Sequence, residues 1–117
     1  GLCPEAGSSL LLTHLAGGRI AFELLVMGQG FDAHQAERLG LVNRVCTPDD
    51  LLSLARDKAL EVSRLPSDAV LASKALIRQS MQTEIDSTIA LELAYFQRLL
   101  GSDECQSIMS QFFSKSQ

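Results

Sequence analysis

The spacing of apolar side chains along the chain predicts a series of helices. In the second half, apolar residues recur every three or four positions, which is the period of an amphipathic helix. This pattern predicts helices at about 51–65, 67–81 and 83–100, and a last helix that follows Ser102. In the first half the same spacing predicts shorter helices at about 8–15, 19–27 and 33–39.

Polar residues mark the positions where these helices are expected to begin. Ser8 or Ser9 can cap the first helix, and Asp32, followed three residues later by a glutamine, resembles a capping box. Thr47 precedes a proline and two acids, and Thr83 precedes the longest apolar stripe. The side-chain oxygen of such a residue accepts hydrogen bonds from amides that have no partner in the first turn.

A short segment of β-branched character interrupts this helical pattern. Residues 41–46 read Leu-Val-Asn-Arg-Val-Cys, a composition typical of a strand. A single strand leaves its backbone groups unpaired, so its partner would be a missing segment or another chain. We therefore expect a mainly α structure with one short strand.

The composition narrows the classes of function and of partner. The 117 residues are 46% hydrophobic and 21% charged, as in an ordinary globular domain or a piece of one. A net charge of -4 disfavours a nucleic-acid partner, because binding to phosphate backbones needs clustered cations. No apolar run reaches the roughly 20 residues of a membrane span, so we expect no membrane partner.

The cysteines and histidines suggest neither disulfides nor a metal. The three cysteines are widely spaced, which favours reduced thiols and a cytoplasmic location, with the peroxisome or mitochondrion as alternatives. His14 and His34 have no Cys or carboxylate partners at ligand spacing, so we expect no metal site.

The first nine residues hold the candidate chemistry. Glu5 stands in a Pro/Gly loop directly before the first helix. A carboxylate held there can act as a base toward a substrate bound over the loop. The alternative is a solvated acid that stabilises the positive end of the helix by its charge alone. Local sequence leaves both interpretations open.

Two further segments resemble the enoyl-CoA hydratase/isomerase family, the crotonase superfamily. They are 31–45, Phe-Asp-Ala-His-Gln-Ala-Glu-Arg-Leu-Gly-Leu-Val-Asn-Arg-Val, and 73–78, Ser-Lys-Ala-Leu-Ile-Arg. The resemblance covers essentially the whole chain. It implies the helical C-terminal part of the crotonase-like (ClpP/crotonase) α/β fold. Residues 1–47 would end the core and 48–117 would form a trimerisation-type region, which implies a homotrimer or a dimer of trimers.

The opening loop narrows the resemblance to a subgroup. The loop Cys-Pro-Glu-Ala-Gly-Ser-Ser and the later Ser-Asp-Glu-Cys at 102–105 resemble peroxisomal-type Δ3,Δ2-enoyl-CoA isomerases. This implies that Glu5 is the base that moves a proton from C2 to C4 of an unsaturated acyl-CoA through a dienolate. It also implies that Phe112 and Lys115 contact coenzyme A. The alternative is that Phe112 packs in the core and Lys115 lies in a fraying terminus.

The resemblance leaves two other functions open. One is a 2-enoyl-CoA hydratase, and the other is a non-catalytic acyl-CoA-binding or oligomerisation module. In each case the ligand is an acyl-CoA thioester, and no cofactor is implied besides the coenzyme A of the substrate. The family's oxyanion-hole donors precede the position of Gly1, so we expect residues 1–117 alone to be inactive.

Overall fold

The computed structural model describes residues 1–114, which form helices joined by short irregular segments. The helices are α1 Ser8–Ala16, α2 Gly18–Leu25, α3 Ala33–Arg38, α4 Leu51–Ser63, α5 Ser67–Gln79, α6 Gln82–Leu100 and α7 Asp103–Ser114, with a 3-10 turn at Pro48–Asp50. Every helix predicted from the apolar spacing is present, with ends displaced by one or a few residues. The mainly α prediction is therefore confirmed.

The described chain divides into two compact units. Gly1–Phe31 and the described residues from Glu84 onward form the first unit, and Asp32–Thr83 forms the second. The first unit contains the opening loop, α1, α2, α7 and nearly all of α6, and α1 packs directly against α2. Its buried side chains are Leu12, Ala21, Glu92 and Cys105. One buried residue of this unit is therefore a carboxylate, which has to be stabilised by specific partners.

The second unit is built from α3, α4 and α5. Ala36 of α3 is buried, whereas α4 and α5 bury no residue. Large apolar side chains on these two helices stay exposed, for example Leu52 at 81% and Ile77 at 75%. The apolar side chains of α4 and α5 thus recur with the helical period, but neither helix buries its apolar face. The predicted division of the chain at residue 47 stays a prediction.

The strand predicted at 41–46 is wrong. The segment forms bends and irregular backbone, and residues 1–114 contain no strand. The amide of Leu41 donates to the carbonyl of Ala36 at 2.9 Å, and the amide of Val45 donates to the Glu37 carboxylate at 3.1 Å. A β-branched composition fits a strand, but a ladder requires a second backbone, which the described chain does not supply here.

Two of the predicted helix caps are confirmed, and Ser102, which was predicted to start the last helix, also caps it. The Asp32 carboxylate accepts the Gln35 amide at 2.7 Å, and the Thr47 hydroxyl accepts the Asp50 amide at 3.3 Å. The Ser102 hydroxyl accepts the Cys105 amide at 3.2 Å. Helix α6 begins at Gln82, one residue before Thr83, and the Thr83 cap stays a prediction. Within residues 1–114, no helix is both long and apolar enough to cross a membrane.

Candidate active site

The opening loop enters α1 through two residues in the left-handed region of backbone space. Ala6 has φ 59° and Gly7 has φ 76°. The amide of Ser8 donates to the Glu5 carbonyl at 3.1 Å, which closes the turn. The left-handed conformation costs an alanine about 1 kcal/mol or more, so other contacts must hold Ala6 there.

The buried carboxylate of Glu92, on α6, supplies those contacts. Glu92 is only 7% exposed. One of its carboxylate oxygens accepts a hydrogen bond from the Gly7 amide at 2.6 Å. The other oxygen accepts the Ser9 amide at 3.0 Å and the Ser9 hydroxyl in a short hydrogen bond. Glu92 therefore binds backbone on both sides of the start of α1, more than 80 residues away in sequence.

The predicted serine cap of α1 is consequently wrong. Gly7 is the N-cap residue, and as a glycine it has no side chain that could make a capping hydrogen bond. The Ser9 hydroxyl donates to Glu92 instead of accepting from the helix. The carboxylate performs the function of a cap, because it satisfies free amides at the helix start and places a negative charge at the positive end of α1.

The surroundings of Glu92 also determine its protonation state. Burial by itself raises the pKa of the carboxyl group. Hydrogen bonds from the Ser9 side chain, the Ser9 amide and the Gly7 amide together outweigh burial, so the pKa lies below its ordinary value. Glu92 is therefore an ionised hydrogen-bond acceptor at neutral pH, rather than a proton donor.

Glu5 lies two residues before the first amide that Glu92 holds. Its side chain is exposed, in contrast to the buried Glu92. The loop thus presents one carboxylate to solvent from a backbone that is fixed immediately downstream. This arrangement suits a base that must meet a substrate over the loop. The catalytic role of Glu5 stays a prediction.

The structure places Phe112 on α7, facing a small apolar hollow of about 250 Å³. The hollow is lined by Gly1, Leu2, Cys105, Ile108, Met109, Phe112 and Phe113. Phe112 is 67% exposed and meets Phe113 edge-on at a ring-centre distance of 5.7 Å. The first residues of the Glu5 loop and Phe112 thus line one hollow. Lys115 lies outside the described residues.

A second hollow of about 240 Å³ lies between the loop and α6. Its lining is Cys3, Pro4, Ser9, Thr88, Leu91, Glu92 and Tyr95. The Cys3 thiol donates to the Glu92 carbonyl at 3.7 Å, which adds a further link between loop and helix. All three cysteines are free thiols in the structure.

Glu92 is the residue that sequence reasoning missed. The signal was its register on α6, three residues after Ile89 and four before Phe96. Those neighbours belong to the apolar stripe of the helix, so a glutamate between them is expected on the buried face. A charge in that position has to find donors, but sequence does not say which ones.

The profile of the enoyl-CoA hydratase/isomerase family matches residues 1–117. The chain belongs to this family. The match covers both units and includes the loop that carries Glu5. The predicted family is therefore confirmed, and with it membership of an enzyme family.

Individual relatives support the same assignment. The chain is 31% identical to a short-chain-enoyl-CoA hydratase of Clostridium acetobutylicum over 115 residues, which are 98% of this chain and 44% of that protein. It is 38% identical to a short-chain-enoyl-CoA hydratase of Clostridioides difficile over 96 residues, 82% of this chain and 62% of that protein. The chain thus spans about half the length of such relatives.

A solved structure extends the likeness to the fold. An enoyl-CoA hydratase/isomerase from Pseudoalteromonas atlantica superposes with a TM-score of 0.93 at 36% identity, over 98% of this chain and 46% of that one. The helical arrangement described above is therefore that of part of a known family structure. The curated relatives are named hydratases, so the isomerase subgroup indicated by the loop belongs to the proposal below.

Proposed function

We propose that this protein shifts the double bond of a 3-enoyl-CoA to the 2-position, with Glu5 as the base. The observation that carries the proposal is an exposed glutamate beside a backbone that Glu92 fixes. The family match supports an enoyl-CoA thioester as the substrate.

The proposed reaction needs one carboxylate that can both accept and return a proton. Glu5 removes a proton from C2, and the electron pair delocalises onto the thioester oxygen as a dienolate. The same carboxyl group then returns the proton at C4, which leaves the double bond between C2 and C3. Hydrogen-bond donors to the thioester oxygen lower the barrier, and we assign them to protein preceding the position of Gly1. Phe112 and Lys115 remain proposed contacts for coenzyme A.

A 2-enoyl-CoA hydratase is the second candidate. The names of the relatives from both clostridial species favour it. Hydration adds water across an existing conjugated double bond and uses a second acid or base to position that water. Glu92 does not fit this role, because both of its oxygens accept hydrogen bonds and its pKa is lowered.

The proposed assembly is a homotrimer or a dimer of trimers. The exposed apolar side chains of α4 and α5, such as Leu52 and Ile77, give a surface whose burial would favour association. Sedimentation analysis of the natural full-length protein tests this directly. A monomer at micromolar concentration would contradict the proposed assembly.

The decisive test of Glu5 is a Glu5→Gln variant of the natural full-length protein. We expect kcat for a 3-enoyl-CoA to fall by about 10²–10⁴-fold with little change in KM, because the amide cannot take the proton. Glu23→Gln on α2 is the matched control, an exposed glutamate that should leave kcat unchanged. Turnover is followed by the absorbance of the conjugated thioester.

Two outcomes would redirect the proposal. Wild-type kcat in Glu5→Gln removes Glu5 as the base. Rapid hydration of a 2-enoyl-CoA by a wild-type protein that does not isomerise 3-enoyl-CoA favours the hydratase. A protein that binds acyl-CoA but catalyses neither reaction is the non-catalytic module.

A further inference from the structure

We infer that Glu92 is a positioning residue for proton transfer by Glu5, an inference that rests on the proposed function. Glu92 takes no proton in this scheme. It acts through the backbone, because it holds the amides of Gly7 and Ser9 immediately after the loop residue that meets the substrate.

The loop depends on contacts from outside its own sequence. Ala6 and Gly7 both have positive φ, a combination that is unstable in an isolated segment. The hydrogen bond from the Ser8 amide to the Glu5 carbonyl ties Glu5 to the first turn of α1. Glu92 holds the residue on each side of Ser8, so it fixes the turn to which Glu5 is bonded.

Helix α6 is placed to hold the loop closely. The Gly7 Cα lies against the Ile85 and Ile89 side chains, since a Cβ built on Gly7 would be 3.6 Å from Ile89 and 3.8 Å from Ile85. Glu92 follows Ile89 by one helical turn and reaches the same backbone with its carboxylate. The apolar contact and the hydrogen bonds therefore restrict the same two or three residues.

Positional accuracy has a direct effect on this reaction. A base that serves both C2 and C4 must keep its oxygens within reach of two carbons while the substrate stays still. Displacement of a reacting group by about 1 Å can lower a rate by about 10²-fold. Loss of the Glu92 bonds frees Gly7 and Ser9, and the displacement passes to Glu5 through the Ser8 amide. Substrate binding elsewhere in the protein is unaffected.

The test uses the natural full-length protein and four variants beside Glu5→Gln. Glu92→Gln keeps the side-chain shape but turns an NH₂ group toward one of the amide donors, so we expect kcat to fall by about tenfold or more with KM changed less than about twofold. Ser9→Ala removes one donor of three and should lower kcat by about threefold. Glu104→Gln on α7, an exposed glutamate, should match the wild type.

The fourth variant separates positioning from stability. Leu12→Ala leaves a cavity at a residue only 9% exposed, and it destabilises the same unit without removing any hydrogen bond of Glu92. Every variant is assayed well below its own Tm, where all are folded. A structural role for Glu92 lowers Tm in both Glu92→Gln and Leu12→Ala and leaves kcat of both unchanged.

The outcomes distinguish this inference from the proposed function. Wild-type kcat in Glu92→Gln overturns the inference, as does a loss confined to KM or a kcat loss of equal size in Leu12→Ala. If Glu92→Gln does not fold, Ser9→Ala decides, and wild-type kcat there overturns the inference. Wild-type kcat in Glu5→Gln removes the proposed function and this inference together, whereas a loss in Glu5→Gln alone removes only the inference.

Discussion

The contacts inside the two units of the chain differ in how far apart in sequence their partners lie. In the first unit, Glu92 hydrogen-bonds to Gly7 and Ser9 across more than 80 residues, and Cys3 reaches the Glu92 carbonyl as well. In the second unit, the Val45 amide donates to the Glu37 carboxylate eight residues away, and the Lys58 ammonium donates to the Glu61 carboxylate three residues away. Long-range polar contacts therefore surround the loop of Glu5, and local contacts shape the helices whose apolar faces stay exposed.

The largest expected effect follows from removal of the long-range contact. Glu92→Ala leaves the amides of Gly7 and Ser9 without their acceptor in a buried setting, and each unsatisfied group costs about 1–3 kcal/mol. We expect the first unit to lose about 3 kcal/mol of its free energy of unfolding. Residue-resolved amide hydrogen exchange should show faster exchange across residues 7–16.

The second unit provides the control for that experiment. Exchange across α4 and α5 should change little in Glu92→Ala, because the bonds of Glu92 join the loop and α1 to α6. Glu104→Ala, an exposed acid on α7, should leave exchange near the wild type in both units. Equal acceleration in both units would show that the proposed difference between them is absent.

Sequence predicted the local features of both units better than their long-range contacts. The caps by Asp32, Thr47 and Ser102 follow from a polar residue and the next turn of the same helix, so they can be recognised from spacing alone. The strand at 41–46 failed because a strand depends on a second segment. Glu92 was missed for the same reason, since its partners lie at the other end of the chain.

Of the candidate site, the sequence predicted only the Glu5 loop, which the family resemblance singles out. Glu5 is marked by a Pro/Gly loop before a helix, and the family model confirms the kind of protein in which that loop occurs. The left-handed Ala6 and the Gly7 cap are properties of three-dimensional packing against α6. No local sequence pattern predicts that the Glu92 carboxylate, rather than Ser8 or Ser9, accepts hydrogen bonds at the start of α1.

Acidification should weaken the first unit through the same carboxylate. The pKa of Glu92 is lowered from its ordinary value of 4.5, so its ionised form stabilises the fold fully above that pH. The contribution is lost as the pH falls below about 4.5 and passes through the lowered pKa of the folded state. Protonation leaves some acceptor capacity, so the loss should be smaller than in Glu92→Ala.

The measurement compares the wild type with Glu92→Gln between pH 7 and pH 3. Other carboxyl groups titrate in both proteins and cancel in the difference of their unfolding free energies. We expect that difference to be largest near pH 7 and to shrink below about pH 4.5. A difference that stays constant with pH would mean that folding does not lower the pKa of Glu92.

A smaller effect is expected when one glycine in each unit is replaced by alanine. Gly7 has φ 76° and Gly40 has φ 75°, so alanine at either position should cost about 1 kcal/mol of unfolding free energy. The two should differ when combined with Glu92→Gln. Gly7→Ala and Glu92→Gln share a hydrogen bond and should be non-additive by about 0.5 kcal/mol or more, whereas Gly40→Ala should add independently.

The smallest expected effect is that of the ion pair on α4. The Lys58 ammonium lies 2.6 Å from the Glu61 carboxylate, but the two side chains are 76% and 60% exposed. Water screens such a pair and ordering two long side chains opposes it, so Lys58→Ala should change the unfolding free energy by about 0.5 kcal/mol or less. Thermal unfolding at low and high salt measures this. A salt-sensitive loss as large as that in Glu92→Ala would show that charged contacts stabilise the second unit as strongly as Glu92 stabilises the first.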